Sequence, residues 1–273
     1  MWLANKDVMN KKTERRKLKI MDYNYIKCGD CLELMKEIPN NTVNLVITSP
    51  PYNMTKRKGG YADTGKYDKY IDWKPESEYI EWITQVFDGL DNVLVENGVI
   101  LLNFSYSIEN PSLPYKLVAE LVGKTNFDLA DTIVWKKKNG IPFPANKCRL
   151  SRIWEFVFVF ARKKEINTYI TAKKVKSISE KTNQTYYEVI YNFFEAKNND
   201  GKCSLNQATF SSEFVGKLLD MYSASEEDIV LDVFMGTGTT PYTCALKNRR
   251  YIGFEISEKQ YAYACERIKG ITR

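Results

Sequence analysis

The chain contains no histidine among its 273 residues. A Ser-His-Asp triad, a Cys-His pair and a histidine-ligated metal site are therefore excluded. Any chemistry must depend on carboxylates, hydroxyls, thiols, backbone groups and a bound cofactor.

Cysteine is scarce, and the six residues at positions 28, 31, 148, 203, 244 and 265 are scattered. Cys28 and Cys31 form a single C-x-x-C pair, which makes a poor zinc site without a second pair or a histidine. We expect no metal and reduced thiols, as in the cytoplasm. The sequence also lacks a long apolar run, and its amino terminus is charged without an apolar core. We therefore expect neither a signal peptide nor a membrane span, and predict a cytoplasmic protein.

The most informative segment is Ser49-Pro50-Pro51-Tyr52, which follows the apolar run 43–48. The run predicts a buried strand, and the two prolines end it because each lacks an N–H and fixes φ. A hydroxyl, two backbone carbonyls free of amide partners and an aromatic ring are expected at the carboxyl end of that strand. Ligands bind at this position in open α/β sheets. A planar substrate with an exocyclic amine would fit, although a strand ending in a simple proline turn is the alternative.

A second segment predicts a nucleotide pocket. Asp228–Phe234 is predicted to be a strand, and it is followed by Met235-Gly236-Thr237-Gly238-Thr239-Thr240 and a helix from Pro241. Glycines in such a turn allow close approach of the backbone to a ligand. No third glycine or phosphate-loop lysine follows, which argues against a phosphate loop and a standard dinucleotide site. Arg250–Glu255 predicts another strand, ending in an acid placed for ribose hydroxyls. Asp232 and Glu255 together indicate a nucleoside with a cationic amino-acid tail.

These residues resemble a known family, the S-adenosylmethionine-dependent DNA amino-methyltransferases in which the catalytic motif precedes the cofactor motif. Ser49, Pro50, Pro51 and Tyr52 match the family's catalytic motif over a resemblance that spans roughly Tyr23 to Ile268. The resemblance implies S-adenosylmethionine as cofactor, with contacts from Asp30, Phe210, Asp232, Phe234, Gly236, Gly238, Thr239 and Glu255. The segment 206–211 lies where relatives often carry a histidine-containing cofactor motif, which is absent here.

Alternating strands and helices predict a parallel α/β sheet. The resemblance adds a mostly parallel seven-stranded methyltransferase sheet with one antiparallel strand, circularly permuted, so that Asp30 lies beside Glu255. We predict a basic arm at 1–20, a catalytic domain at 21–163 and 206–273, and a target-recognition insertion at 164–205. Residues 54–72 are a candidate lid.

Net charge is +6, from 40 Lys plus Arg against 34 Asp plus Glu, and much of the surplus is clustered. Such clusters indicate nucleic acid as partner, here double-stranded DNA, although solvated surface is the alternative for any one lysine. The candidate DNA contacts are Lys56, Arg57, Lys136, Lys138, Arg149, Arg152, Lys173 and Lys174. The sequence does not decide whether the protein is a homodimer, or whether a cognate restriction endonuclease accompanies it.

The predicted reaction is direct in-line methyl transfer to the exocyclic amine of a base flipped out of the duplex. Ser49 and the Pro50 carbonyl would accept the amine hydrogens, and Tyr52 would stack on the ring. The amine proton would leave late, to water, so no strong base is required. In the family, serine at the first motif position favours the N4 of cytosine, whereas Asn53 resembles the group that modifies the N6 of adenine. We favour cytosine N4, with adenine N6 as the alternative. An RNA or protein methyltransferase and a non-catalytic DNA-binding module are the competing classes.

Overall fold

The computed structural model describes residues 23–53, 73–105, 110–140, 148, 150–201, 203, 205 and 209–271. Over these residues the strands are β1 Tyr25–Cys28, β2 Val43–Thr48, β3 Leu94–Phe104, β4 Phe127–Lys137, β5 Trp154–Arg162, β6 Val175–Ile178, β7 Thr185–Tyr187, β8 Phe193–Ala196, β9 Ile229–Asp232 and β10 Arg250–Glu255. The helices are α1 Cys31–Met35, α2 Glu76–Val93, α3 Leu113–Lys124, α4 Ser212–Tyr222, α5 Thr239–Leu246 and α6 Glu258–Lys269. None of these described helices is long and apolar enough to cross a membrane.

The main sheet has the strand order β1-β10-β9-β2-β3-β5-β4-β8. All of these strands run in one direction except β5, which pairs antiparallel with both β3 and β4. We call the edge where the parallel strands end the carboxyl edge, and the opposite edge the amino edge. Because β5 runs the other way, its first residues lie at the carboxyl edge with the ends of β3 and β4.

The sheet is covered by helices on both faces, as expected for a parallel sheet. One core cluster packs α1, α2 and α3 against the sheet, and a second packs α4, α5 and α6. Strand β2 supplies both clusters by alternation, since Val46 faces the first while Leu45 and Ile47 face the second. All three side chains are fully buried, which explains why the sequence reads as an unbroken apolar run.

Strands β9 and β2 are neighbours at the centre of the sheet, and the chain leaves them in opposite directions. β9 is followed by β10 on one side, and β2 is followed by β3 on the other. This reversal is the topological switch point at which open α/β sheets bind ligands. At its carboxyl edge the Thr48 hydroxyl donates a hydrogen bond of 2.7 Å to Oδ1 of Asp232, across 184 residues of sequence.

The predicted mostly parallel sheet and its single antiparallel strand are confirmed, but the count of seven strands is wrong. An eighth strand, β8, pairs parallel with β4 and comes from the segment predicted as the target-recognition insertion. The register of Cys28 with Glu255 places Asp30 beside Glu255 as expected. β4 extends over Phe127–Lys137 although its first half is polar, because that half still pairs with β5.

The first part of the predicted insertion lies at the amino edge. The amide of Ile170 donates to Asn97 near the start of β3, and the amide of Ala172 donates to Met221 at the end of α4. The β6–β7 hairpin emerges from this region, with the Glu188 amide bonded to Lys174 at its base. The role of this segment in target recognition stays a prediction.

Gly238 offers a direct test of the tight packing below the carboxyl edge. Its φ of +77° and a Cβ position 2.7 Å from the Ala264 Cβ predict that Gly238→Ala costs about 2–4 kcal/mol of unfolding free energy. Gly123→Ala in α3 is the matched control, because nothing lies within 4 Å of its added Cβ. Denaturant unfolding should show the control within about 1 kcal/mol of the natural protein. Equal stability of the two variants would contradict the packing.

Candidate active site

The turn after β9 covers residues 233–238, and we call it the glycine turn. It is shaped by two glycines in the left-handed region, Gly236 at φ 55° and Gly238 at φ 77°. This conformation costs glycine little and other residues more. The turn folds around Glu255, whose carboxylate accepts the amides of Gly236 at 2.9 Å and Ser257 at 2.8 Å. Burial raises the pKa of Glu255, and these two amide donors oppose the rise. The acid therefore fixes the backbone of the turn as well as lining its edge.

Asp232 is buried at the end of β9, with 1% of its surface exposed. Its Oδ1 accepts the Thr48 hydroxyl and the Phe234 amide, the latter at 3.1 Å. Burial raises the pKa of Asp232 to about 6, opposed by the nearby hydroxyls of Thr240 and Thr48. Even so, Oδ2 of Asp232 and Oγ1 of Thr240 have no hydrogen-bond partner of good geometry in the described part of the chain. A buried carboxylate oxygen without a donor is a polar group held ready for one.

Asp30 completes a row of three acids on adjacent strands. It follows β1, caps α1 by accepting the Leu32 amide at 2.8 Å, and is exposed. Next to it, the Gly29 amide donates to the backbone of Glu255 at 2.9 Å. Carboxylates in such a row suit hydroxyl groups and a cationic amine. The residues present therefore fit a nucleoside that carries an amino-acid tail.

The segment Ser49–Tyr52 follows β2, and we call it the proline corner. A residue of α2 forms a hydrogen bond to it. The Tyr79 hydroxyl donates to the Pro51 carbonyl at 2.7 Å, so a side chain rather than an amide occupies this oxygen. For the Pro50 carbonyl, the described residues provide no hydrogen-bond donor. Asn53, at φ 52°, donates to the Lys74 carbonyl and accepts the Lys74 amide. Its amide thereby joins the two ends of the predicted lid, whose residues 54–72 lie outside the described part of the chain.

Tyr52 belongs to a buried polar network that the sequence analysis did not assign. Its hydroxyl lies 3.0 Å from Oε2 of Glu155, 3.2 Å from Oδ1 of Asn103 and 3.4 Å from Oγ of Ser49. Burial, followed by the nearby Glu155 carboxylate, raises the pKa of Tyr52 well above its ordinary value. Glu155 also pairs with Lys137. A lone acid at the start of the apolar strand 154–160 is the signal that could have identified Glu155.

An aromatic wall connects the glycine turn with the proline corner. Ring centroids lie 5.3 Å apart for Phe234 and Trp82, and 6.0 Å apart for Trp82 and Tyr79. The wall continues through Phe104, whose ring centroid is 6.2 Å from that of Tyr79 and 5.0 Å from that of Tyr52. The two predicted motifs therefore share one aromatic wall as well as the Thr48–Asp232 bond.

The remaining predicted cofactor residues lie on the other face of the sheet or at the start of α5. Phe210 packs on Phe214 of α4 at 5.0 Å between ring centroids. The Thr239 hydroxyl accepts a hydrogen bond of 3.0 Å from Arg267, and Arg267 pairs with Asp200. Cofactor contacts from Phe210 and Thr239 stay predictions.

The predicted DNA contacts are divided between the two edges. Lys136 and Lys138, at the carboxyl edge, pair with Glu195 and Glu213, so part of their charge is already balanced. Arg152 is exposed just before β5 at the same edge. Lys173 and Lys174 are exposed at the amino edge, so the structure does not bring them together with the proline corner. Lys56, Arg57 and Arg149 lie outside the described residues.

The raised pKa of Asp232 gives a pH-dependent prediction. The folded protein binds this proton more tightly than the unfolded chain, so the associated stability is present below about pH 4 and lost as pH rises through about 6. Asp232→Asn cannot ionise, so its unfolding free energy relative to the natural protein should rise by about 3 kcal/mol over that range. Denaturant unfolding at several pH values measures this difference. Asp220→Asn, an exposed site, is the control, and a pH-independent difference for Asp232→Asn would contradict the burial argument.

Comparison with known proteins agrees with this geometry. A family model described as DNA methylase, N6_N4_Mtase, matches residues 43–266. The orphan methyltransferase M.BamHII of Bacillus amyloliquefaciens is 28% identical over 267 residues, covering 86% of this chain and 92% of that protein. The type II methyltransferase M.MwoI of Methanothermobacter wolfeii is 28% identical over 219 residues, covering 78% of this chain. This chain matches 29% of the length of M.MwoI.

Solved structures share the fold. The PvuII DNA methyltransferase (cytosine-N4-specific) superposes with a TM-score of 0.68 at 19% identity, over 90% of this chain and 86% of that one. A DNA modification methylase of Thermus thermophilus, complexed with S-adenosyl-L-methionine, gives a TM-score of 0.60 at 21% identity, over 90% and 93%. S-adenosylmethionine is the cofactor of this family. Because the family model covers more than half of its residues, this chain belongs to the N6/N4 DNA methylase family.

Proposed function

We propose that this protein is a site-specific DNA methyltransferase. It transfers a methyl group from S-adenosylmethionine to the N4 amine of a cytosine that is flipped out of the duplex. The observation that carries the proposal is the 2.7 Å hydrogen bond between Thr48 and Asp232. It joins the last residue of β2, directly before Ser49, to the last residue of β9, directly before the glycine turn. A methyl donor bound at the glycine turn and an amine held at the proline corner would therefore be neighbours, as in-line transfer requires.

The cofactor would lie along the carboxyl edge of β1, β10 and β9. Glu255 and Asp30 suit its ribose and adenine, while the carboxylate of Asp232 at the end of β9 would favour a cationic amine at the other end of the pocket. Phe234 would contribute its ring to the wall of the pocket. When bound, S-adenosylmethionine supplies a methyl group already activated on sulfonium. The protein therefore needs only to bind and orient the cofactor and the target base and to exclude water. None of these tasks requires a histidine.

The target amine would be held by oxygen acceptors. Ser49 Oγ and the Pro50 carbonyl lie at the end of β2, and no donor from the described residues occupies the Pro50 carbonyl. Two acceptors on the two amine hydrogens favour a pyramidal nitrogen, whose lone pair can then face the methyl group. This is electrostatic stabilisation by preorganised groups. A ring-carbon methyltransferase would need a cysteine nucleophile, and residues 49–52 contain none.

Two observations favour cytosine N4 over adenine N6. Serine begins the motif, and the cytosine-N4-specific PvuII enzyme is a structural neighbour with a TM-score of 0.68. The argument for adenine depended on Asn53. Because the Asn53 amide bonds the Lys74 backbone through both its oxygen and its nitrogen, chain geometry explains that residue without reference to the base. Adenine N6 remains the second candidate, since the family includes both specificities.

Double-stranded DNA is the proposed substrate, approached at the carboxyl edge where Lys136, Lys138 and Arg152 lie. A non-catalytic DNA-binding module would need such cations, but it would have no need of the acids Asp30, Asp232 and Glu255 around a glycine turn. An RNA or protein methyltransferase is disfavoured by the order of the motifs in the chain, since such relatives usually place the glycine motif first. Homodimer formation and a cognate restriction endonuclease are left open by the geometry.

Ser49→Ala tests the catalytic assignment. Loss of one acceptor for the amine should reduce the single-turnover rate of methyl transfer by about 100-fold, a typical effect of removing one preorganised polar group. Transfer of a radiolabelled methyl group to DNA measures the rate. Ser225→Ala, in the exposed turn before β9, is the matched control and should retain the natural rate. A natural rate for Ser49→Ala would overturn the assignment of the proline corner.

The modified base tests the choice between the two amines. DNA from a host without its own methylation, expressing this protein, should yield N4-methylcytosine on hydrolysis to nucleosides and mass spectrometry. The same DNA from cells expressing Asp232→Ala should lack the modified base, because the buried carboxylate is part of the proposed cofactor pocket. N6-methyladenine as the only product would reject cytosine N4 while leaving the methyltransferase assignment intact.

A further inference from the structure

A chain of hydrogen bonds leads from Ser49 at the proline corner to a buried carboxylate on β5. The Ser49 hydroxyl donates to the Tyr52 hydroxyl at 3.4 Å, and the Tyr52 hydroxyl donates to Oε2 of Glu155 at 3.0 Å. We propose that Glu155 receives, through Ser49 and Tyr52, the proton that the amine loses as it is being methylated. This inference rests on the proposed function, and it replaces the expectation that the proton leaves to water.

Glu155 lies at the end of this hydrogen-bond chain and is surrounded by donors. It is 9% exposed, and its two oxygens receive hydrogen bonds from Lys137, Tyr52 and Asn103. All three partners are placed as donors, so the two oxygens of Glu155 act only as acceptors. Lys137 forms the ion pair that compensates for the burial of the charge.

Asn103 fixes the direction of the chain. Its amide nitrogen donates to the Phe156 carbonyl at 2.9 Å and to Glu155 at 3.3 Å, so its amide oxygen faces Tyr52. The single proton of the Tyr52 hydroxyl then has two acceptors, the neutral Asn103 oxygen at 3.2 Å and the anionic Glu155 oxygen at 3.0 Å. A charged acceptor forms the stronger bond, so the proton points to Glu155. That leaves the Tyr52 oxygen free to accept from Ser49.

The topology brings this acceptor to the site. Glu155 lies near the start of β5, the antiparallel strand, so it reaches the same edge at which β2, β3 and β4 end. Tyr52, Asn103 and Lys137 occupy those three strand ends. If β5 ran parallel to its neighbours, its first residues would lie at the opposite edge.

In this step the amine gains a methyl group and Glu155 gains a proton. The lone pair of the amine nitrogen forms a bond to the methyl carbon while the sulfur–carbon bond breaks, leaving its electron pair on sulfur. Positive charge develops on the nitrogen as this bond forms, so one of its two protons leaves in the same step. One proton passes to Ser49 Oγ, the Ser49 proton passes to the Tyr52 oxygen, and the Tyr52 proton passes to Oε2 of Glu155. The products are a neutral methylated amine and a neutral carboxylic acid, which later releases its proton to solvent.

A double-mutant cycle on the single-turnover rate tests the relay. Tyr52→Phe keeps the ring and removes the hydroxyl, and Glu155→Gln keeps the side-chain shape and removes the charge. Each is expected to slow methyl transfer by about 100-fold, the lower range for general acid–base catalysis. The double variant should be no slower than the slower single variant, because both changes interrupt one path. A solvent deuterium isotope effect in the natural protein should disappear in all three variants.

Readouts other than activity separate the relay from a structural role. DNA affinity and the fluorescence of a 2-aminopurine placed next to the target base should be unchanged in Glu155→Gln, whereas loss of the ion pair with Lys137 should lower its melting temperature. Glu120→Gln, which removes an exposed charge paired with Lys124 on α3, is the matched control and should behave as the natural protein.

The outcomes distinguish this inference from the proposed function. A natural rate and a retained isotope effect in Glu155→Gln, together with a slow Ser49→Ala, would overturn the relay and leave the proline corner catalytic. Additive losses in the double variant, or a loss confined to stability or base flipping, would also overturn it and make Glu155 a packing residue. A natural rate in Ser49→Ala would remove the proposed function and the relay together.

Discussion

One buried hydrogen bond, from the Thr48 hydroxyl to the Asp232 carboxylate, sets the geometry of the whole site. It lies at the switch point of the sheet, where the loops after β2 and β9 turn away from each other. Without a contact here, the proline corner and the glycine turn would be two features at the ends of neighbouring strands. With it, residues separated by 184 positions are held at hydrogen-bond distance, so the two loops begin side by side.

Polar groups at the carboxyl edge come at a cost in stability. Asp232, Glu255 and Glu155 are all buried or nearly so, and desolvation opposes the charge of a buried carboxylate. Each acid offsets that cost locally with backbone amides, threonine hydroxyls or a lysine. Within the described part of the chain, the oxygens of Asp232 and Thr240 that have no partner are places where this compensation is incomplete. The Thr240 hydroxyl nevertheless lies close enough to lower the pKa of Asp232, so it offsets part of the cost of burying this acid.

Much of the fold was predictable from sequence because its strands are buried on both faces. Strands such as β2 and β9 read as short apolar runs, and the proline pair and glycine turn mark where they end. Other features depend on pairing and were missed. β8 lies in a polar, tyrosine-rich segment and forms because the edge of β4 offers it a partner. The first half of β4 contains Asp128 and Asp131, which obscure its strand pattern.

The residues of the site also fall into two groups, those that the sequence predicts and those that depend on strand pairing or helix packing. Ser49–Tyr52, Asp232 and Glu255 could be identified because each follows a recognisable strand. Glu155, Asn103 and Lys137 could not be connected with Tyr52, because only the direction of β5 brings them to the same edge. The Tyr79 bond to the Pro51 carbonyl also depends on helix packing that no local pattern indicates.

The central claim is that the two motifs form one pocket with the cofactor between them. A crystal structure of the protein with S-adenosylhomocysteine bound tests this most directly. We predict that the ligand lies along the glycine turn, with its amino group near Asp232, its ribose at Glu255 and its sulfur facing the Ser49–Pro50 corner. A ligand bound elsewhere, or a proline corner turned away from the glycine turn with the Thr48–Asp232 bond broken, would contradict the account.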